Sequence, residues 1–347
     1  MQILIFNVGS SSIKYSLFQN KKLIISNKYE KLKSKSDYIK SFNKIKESVK
    51  KKKVDLIIHR VVHGGEIKKP SRINSKIKNQ IKKFSQFAPL HNPKQLLIIN
   101  LAEKINPKQY AVFDTQFFSK LPKVAKIYPI PKKIAKKYSL QKYGFHGLSH
   151  KSVSENLKGK TITCHLGAGI SITAIKNKIS IDTTMGLTPN EGIIMATRSG
   201  NIDSGLVIFL EKKGFNTNKI LNTQSGLKAI SGFSDFRKII KNLRKPNNKL
   251  AYEILCYQIT KQIGAYTAAL NGLNNLVFTG PIGENVSKLR KDICSHLEFL
   301  KIKLDKNKNL QNKEIISSRT SKVKVYVRKT NEEKIILNEV LKIIWKF

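Results

Sequence analysis

Ile3-Leu4-Ile5-Phe6-Asn7-Val8-Gly9-Ser10-Ser11-Ser12-Ile13-Lys14 stands near the start of the chain. Its first four residues are an uninterrupted apolar run, the pattern of a buried strand. Asn7 to Ser12 is a turn of small and hydroxylated residues. Ile13, Tyr15 and Leu17 then alternate with Lys14 and Ser16, which predicts a second strand. The device returns at mid-chain. Residues 161–164 read as a strand, Leu166-Gly167-Ala168-Gly169 as a tight turn, and 170–175 as the returning strand. Residue identity between the copies is slight, but each half opens as strand, Gly turn, strand. The expectation is an α/β chain of two similar halves packed around a cleft.

Outward from these two hairpins the pattern stays mixed. Residues 22–26 supply a third strand, 31–53 a partly helical polar stretch, and 54–58 a buried strand ending at His59-Arg60. Helices are predicted over 75–84 and 93–104, where Pro93 suits a first helical turn. A strand over 110–113 ends at Asp114. Residues 251–270 read as a long buried helix, and 276–279 as a strand that meets Gly280-Pro281-Ile282-Gly283-Glu284-Asn285. Val286, Leu289, Ile293 and Leu297 mark one face of the helix that follows. A last helix begins near Asn331.

The chain has 347 residues, a length for two or three domains, and 40% of them are hydrophobic, enough for real cores, so global disorder is excluded. Its 66 Lys+Arg against 22 Asp+Glu give a net charge of +44. Lys crowds segments such as 31–53 and is absent from 161–175 and 262–283. That placement reads as a Lys-coated surface, with no aromatic-interleaved basic face for a specific nucleic-acid partner. Three scattered cysteines make neither a disulfide framework nor a zinc pair. No leader pattern precedes the first strand, and the window 262–283 carries Asn and Pro, which makes a poor bilayer helix. A soluble cytoplasmic protein without membrane contact is expected.

Several segments could carry chemistry. The turn at Gly9 lets backbone N–H groups and hydroxyls approach a phosphate; an ordinary polar hairpin is the equal alternative. No Walker A loop or Gly-x-Ser-x-Gly elbow is present. His59, Arg60 and His63 at a buried strand end are costly unless paired or functional. Arg60 could clamp an anion bidentately or pair with a structural carboxylate. Asp114 at another strand end could orient a metal or an arginine. His146 and His150 would share a face if helical, although a core hydrogen-bonding His is the commoner fate. Arg198, flanked by small residues in the Lys-poor stretch 182–204, suits an anion clamp.

Taken in order, the segments 7–14, 59–66, 88–93, 113–115, 143–150, 182–200 and 330–333 resemble the acetate kinase family, within the acetate and sugar kinase, Hsp70 and actin superfamily. The resemblance runs from Ile3 to about Glu333. It implies two actin-like ATPase domains, a duplicated ribonuclease H-like fold, around a central cleft. The expected domains are 1–116, with a terminal helix 334–347 packed back on it, and 117–333. The implied reaction is reversible phosphoryl transfer from ATP to acetate, giving acetyl phosphate and ADP, with Mg2+ or alternatively Mn2+, in a homodimer. Carried over by motif, Arg60 and Arg198 neutralise the carboxylate and the moving phosphoryl group, His146 bonds that phosphoryl, and Asp114 orients metal and reactants. Asn7 and Glu332 hold the metal environment. Val62, Leu90, Phe145 and Pro189 form the pocket for the acetate methyl. Lys14, His165, Gly167, Gly169, Asp235, Phe236, Arg237, Gly280, Ile282, Gly283 and Asn285 line the nucleotide.

Four positions depart from the family pattern. Ala168 replaces a usual Asn, Ile170 a small residue, Asn201 a usual Asp and Pro281 a Gly or Ala. They raise the expectation of a weakened nucleotide site. The alternatives are therefore a kinase for propionate or another short acyl group, a catalytically weakened or decayed family member, and a basic nucleic-acid binder.

Overall fold

A computed structural model describes residues 1–345. The last two residues of the expected terminal helix 334–347 lie outside the described residues. The chain divides into two compact units. The first comprises Met1–Ser119, Phe145–Leu148 and the chain from Asn331 onward; the second comprises Lys120–Gly144 and Ser149–Thr330.

The first unit is built on a sheet of β1 (Gln2–Val8), β2 (Ile13–Gln19), β3 (Lys22–Tyr29), β4 (Leu56–Val61), β5 (Ser71–Arg72) and β6 (Gln109–Phe113), in the order β3-β2-β1-β4-β6-β5. The second holds β7 (Lys160–Leu166), β8 (Ile170–Lys176), β9 (Ile179–Thr183), β10 (Asn275–Thr279) and β11 (Lys324–Val327), in the order β11-β10-β7-β8-β9. The two sheets share one plan. In each, an antiparallel meander of three strands is extended by two parallel strands on the side of its first strand. The likeness reaches single residues. Asn20-Lys21 and Asn177-Lys178 turn the β2–β3 and β8–β9 hairpins with φ of 48° and 68°, and 49° and 70°. Positive φ at both central residues is the mark of a type I′ turn, which Asn favours. Each hairpin also shifts register, at Leu17/Phe18 and at Ala174/Ile175.

β1 is buried on both faces, which explains its unbroken apolar run. Leu4, Phe6 and Val8 pack with Tyr38, Phe42 and Ile45 of the helix Lys35–Val49 and with Ile98 and Ala102 of the helix Asn92–Ala102. Ile3 and Ile5, with Leu56, Ile58 and Val112, meet Ile335, Ile336 and Val340 of the helix Glu332–Ile344.

Three element readings need correction. The expected helix 251–270 starts earlier, at Pro246, which takes a first-turn position. Residues 280–285 form a short helix, Gly280–Asn285, rather than a bare loop. His146 stands before the helix Gly147–Ser154 and so shares no helical face with His150.

Candidate active site

Strand parity assembles the first group. Side chains two apart on a strand share a face. Asn7 therefore continues the Ile3, Ile5 face of β1, Arg60 the Leu56, Ile58 face of β4, and Asp114 follows Val112 just past β6. These strands are parallel neighbours, with Asn7 opposite Arg60 and Arg60 opposite Val112. Three polar residues thus emerge at the carboxyl ends of three adjacent strands, on the face covered by the helix that begins at Glu332.

Arg60 is the hub. Its Nε and Nη2 donate to the two carboxylate oxygens of Asp114 at 3.1 and 2.7 Å. Nη1 donates to Oδ1 of Asn7 at 3.0 Å and lies 3.4 Å from Oε2 of Glu332. Nδ2 of Asn7 donates to the same Glu332 oxygen at 2.9 Å. Burial pushes the Asp114 carboxyl up, Arg60 pulls it down, and the Glu332 charge pushes it up again. The backbone N–H of His146 also bonds that carboxylate. His146 itself adopts a left-handed backbone, φ 56°. The following Gly147 has no alternative, because a Cβ there would fall 2.0 Å from the Asp114 carbonyl oxygen.

Two carboxylates, Asp114 and Glu332, and the amide oxygen of Asn7 thus gather around one guanidinium. Among the described residues no group of three or more His, Cys, Asp or Glu gathers as a ligand set. A hard divalent ion completed by water and phosphate needs only one or two carboxylates, and the oxygens of Asn7, Asp114 and Glu332 fit that requirement.

The Gly9 turn is closed by Gly9 N–H donating to the Ser12 carbonyl at 2.8 Å. Lys14 pairs with Glu333 at 2.8 Å. Sequence reasoning missed two helpers on the helix Asn92–Ala102. Lys94 donates to the Ser10 carbonyl of the turn, and burial lowers its pKa. Gln95 accepts from Val62 N–H at 3.0 Å and donates to the Val8 carbonyl at 2.9 Å, bridging the ends of β1 and β4. A buried polar residue one turn inside a helix was the available signal. Of the expected methyl pocket, Val62 and Phe145 are buried, the latter edge-on to His63 at 5.4 Å, while Leu90 stands 45% exposed.

The second unit holds the other predicted residues. Arg198 is part-buried; among the described residues it has no carboxylate partner, and its guanidinium donates to the Pro189 carbonyl. Desolvation lowers its pKa to about 10. Asn201 closes the loop below it: Oδ1 accepts from Gly192 N–H at 2.7 Å, and Asn201 N–H donates to the Gly192 carbonyl at 2.8 Å. An Asp offers the same acceptor, so this departure keeps its contact. His165 ends β7 near His150, ring centroids 6.3 Å apart. His150 takes the core fate, between Thr163 Oγ1 at 2.7 Å and Ser171 Oγ at 2.8 Å.

In the turn after β7, Gly167 N–H donates to the Gly169 carbonyl at 3.1 Å. Ala168 is exposed at the tip, and its carbonyl accepts from Ala196 N–H at 3.2 Å. Ile170 is fully buried and belongs to the core. Around 280–285, Glu284 Oε1 accepts from Gly280 N–H at 2.9 Å, and Asn285 Nδ2 donates to the Pro281 carbonyl at 2.9 Å. Ile282 is part-buried and Gly283 buried. Arg290, also missed, anchors this short helix from beneath. It is fully buried and donates to the carbonyls of Gly283 at 2.8 Å and Glu284 at 3.0 Å. Asp235 caps the helix Phe236–Lys241 and pairs with the exposed Arg237 at 2.8 Å, while Phe236 is buried against Tyr252. A surface cavity of about 1590 Å³ runs beside Tyr252, Tyr257, Lys288 and His296, and none of the predicted nucleotide residues lines it.

Comparison with known proteins gives this geometry a family. Residues 21–338 match the Acetokinase family. The acetate kinase of Carboxydothermus hydrogenoformans is 40% identical, over 99% of this chain and 99% of its own. Among solved structures, the acetate kinase of Entamoeba histolytica is 31% identical, with a TM-score of 0.89 over 99% of each chain. A propionate kinase from Francisella tularensis is 36% identical, with a TM-score of 0.88 over 97% of this chain and 98% of its own. These structures share the two-sheet α/β plan of two actin-like ATPase domains. With most of its length matched by that family and a relative 40% identical over 99% of both chains, the chain belongs to the acetokinase family.

Proposed function

We propose that this protein transfers the γ-phosphoryl group of ATP directly to a carboxylate oxygen of acetate, reversibly, giving acetyl phosphate and ADP. The observation that carries the reading is Arg198. A part-buried guanidinium with no carboxylate beside it among the described residues suits an anion, and burial makes its field strong. In transfer, an acetate oxygen forms the new bond to phosphorus while the bond from phosphorus to the bridging oxygen of ADP breaks. The electron pair leaves with ADP. Acetate is already ionised at neutral pH, so no general base is required. Arg198 neutralises charge on the equatorial oxygens, and His146 donates to the same group.

Arg60 acts differently. Its fork is occupied by Asp114, Asn7 and Glu332, so it holds these oxygens in place and presents its remaining N–H to the acetate carboxylate. Asn7, Asp114 and Glu332 would hold Mg2+, which supplies charge neutralisation to the phosphates when bound. Val62, Phe145 and Leu90, with Pro189, would bound the methyl group. The turn 167–169 and the short helix 280–285, with Lys14, His165 and the segment 235–237, would take the nucleotide.

A homodimer is part of the proposal. The helix Ser204–Lys212 buries none of its residues, yet carries Leu206, Val207, Ile208, Phe209 and Leu210. In the same unit Val124 is 95% and Ile127 64% exposed. Apolar surface of this kind marks an association site, and a second copy is the occupant we propose. No helix among the described residues is long and apolar enough to cross a membrane. A cytoplasmic location, where ATP is supplied, goes with this reading.

Because a named propionate kinase is among the similar structures, the substrate test includes longer acids. Acyl phosphate trapped with hydroxylamine, from ATP, Mg2+ and acetate, propionate or butyrate, should be greatest with acetate and lowest with butyrate. One methylene shifts preference by only about 1–3 kcal/mol. Butyrate turnover equal to that of acetate would contradict the substrate assignment.

A further inference from the structure

Tyr128 lies outside every motif that pointed to function, between two short helices, Lys123–Lys126 and Lys132–Tyr138. Its hydroxyl meets the loop that carries Pro189 and Arg198. It accepts from Leu187 N–H at 2.8 Å and donates to Oε2 of Glu191. Burial, and then the Glu191 carboxylate, push the phenol well above its ordinary range, so it remains a donor. The other Glu191 oxygen lies 3.4 Å from Nζ of Lys142, which also donates to the Thr183 carbonyl at 2.9 Å and faces Asp182 at 3.5 Å. Next to this, the Gly186 carbonyl accepts from the N–H groups of Tyr143 at 3.0 Å and Gly144 at 3.2 Å. The closure leaves no room at Gly186, where a Cβ would fall 1.7 Å from Glu191 Oε2 and 2.1 Å from the Tyr128 hydroxyl.

The chain from 186 to 191 is therefore strapped at both ends to the segment 128–144, and Pro189 lies between the straps. The Pro189 carbonyl is the group to which Arg198 donates. We propose that Tyr128, with Lys142 behind Glu191, is a positioning residue for Arg198: it fixes the carbonyl that aims the guanidinium. This rests on the reading of Arg198 as the phosphoryl clamp. Removing the hydroxyl leaves Leu187 N–H without its acceptor and Glu191 Oε2 without the phenol as donor. The loop then gains freedom, and a displacement of about 1 Å at a reacting group can cost about a hundredfold in rate.

A double-mutant cycle on kcat tests it. Tyr128→Phe should lower kcat by about tenfold, since part of that displacement is realised, and leave the KM for ATP within about twofold. In an Arg198→Lys background the same substitution should cost less than about twofold, because residues acting through one another are not additive. An equal factor in both backgrounds, or no loss in the natural background, would overturn the proposal. Turnover unchanged in Arg198→Lys alone would overturn the reading of Arg198 itself, and the proposal with it. Thermal melts check that each variant is folded. Should Tyr128→Phe melt below the assay temperature, Lys142→Gln, which leaves the ring and hydroxyl in place, goes through the same cycle with the same outcomes.

Discussion

Arg60 and Arg198 both read as anion clamps in the sequence, and the structure makes them opposites. Arg60 is tied to Asp114 and Glu332, while Arg198 has one carbonyl. Removing Arg60 leaves a buried carboxylate uncompensated, which costs about 3–5 kcal/mol of stability. Removing Arg198 leaves no stranded charge. Arg198→Ala should lose about 10²–10³ in turnover with an unchanged melting temperature, whereas Arg60→Ala should lose turnover and melt lower. Equal melting temperatures for both variants would contradict the contrast. The residue types were legible in the sequence, but their partners were not, because Asp114 and Glu332 reach Arg60 only through strand register and the return of the last helix. His59 shows the same gap. Burial lowers its pKa from the ordinary 6.5 to about 3. Below the ordinary value the unfolded chain binds a proton that the folded chain refuses, so stability present above pH 6.5 falls as pH drops towards 3. Each such proton contributes about 1.4 kcal/mol per pH unit. Urea midpoints between pH 6.5 and 4.5 should fall less steeply for His59→Gln than for the natural chain, by about one proton. An unchanged slope would assign the acid sensitivity elsewhere.

At the scale of elements, the hairpins and their Gly turns were legible because apolar runs bounded by Gly and Ser survive any surface composition. β9 and β11 were not read, since each is short and β11 enters from a Lys-dense stretch that hides its pattern. The turn after β7 carries the departure that matters most. Ile170 sits in the core and Asn201 keeps its contact, but Ala168 stands exposed at the tip with no amide to offer. A hydrogen bond to a charged group is worth about 1.5–3 kcal/mol. Ala168→Asn should therefore lower the KM for ATP or raise kcat by about tenfold or more. No gain in either parameter across ATP concentrations would mean that the turn, stiffened by Pro281 nearby, no longer aims a side chain at phosphate.

For the whole molecule, the duplication was visible in the sequence only as a repeated strand, turn, strand. Side chains have diverged almost completely, while backbone requirements have not: both halves keep an Asn-Lys type I′ turn, a register shift in the same hairpin and the same order of five strands, to which the first sheet adds β5 at its edge. The proposed association surface was also illegible, because exposed apolar residues on a helix look like core in one dimension. Phe209, 55% exposed, is the probe for it. Sedimentation velocity should show a dimer for the natural chain and a monomer for Phe209→Glu, and a monomeric natural chain would contradict the dimer. The central claim is that an acetate oxygen attacks the γ-phosphorus of ATP, and the most direct test follows that oxygen. With acetate labelled in its carboxylate by heavy oxygen, ATP and Mg2+, phosphorus NMR of the acetyl phosphate formed should show one heavy oxygen bonded to phosphorus, with ADP as the other product. Formation of AMP and pyrophosphate, or acetyl phosphate with no heavy oxygen on phosphorus, would contradict the account.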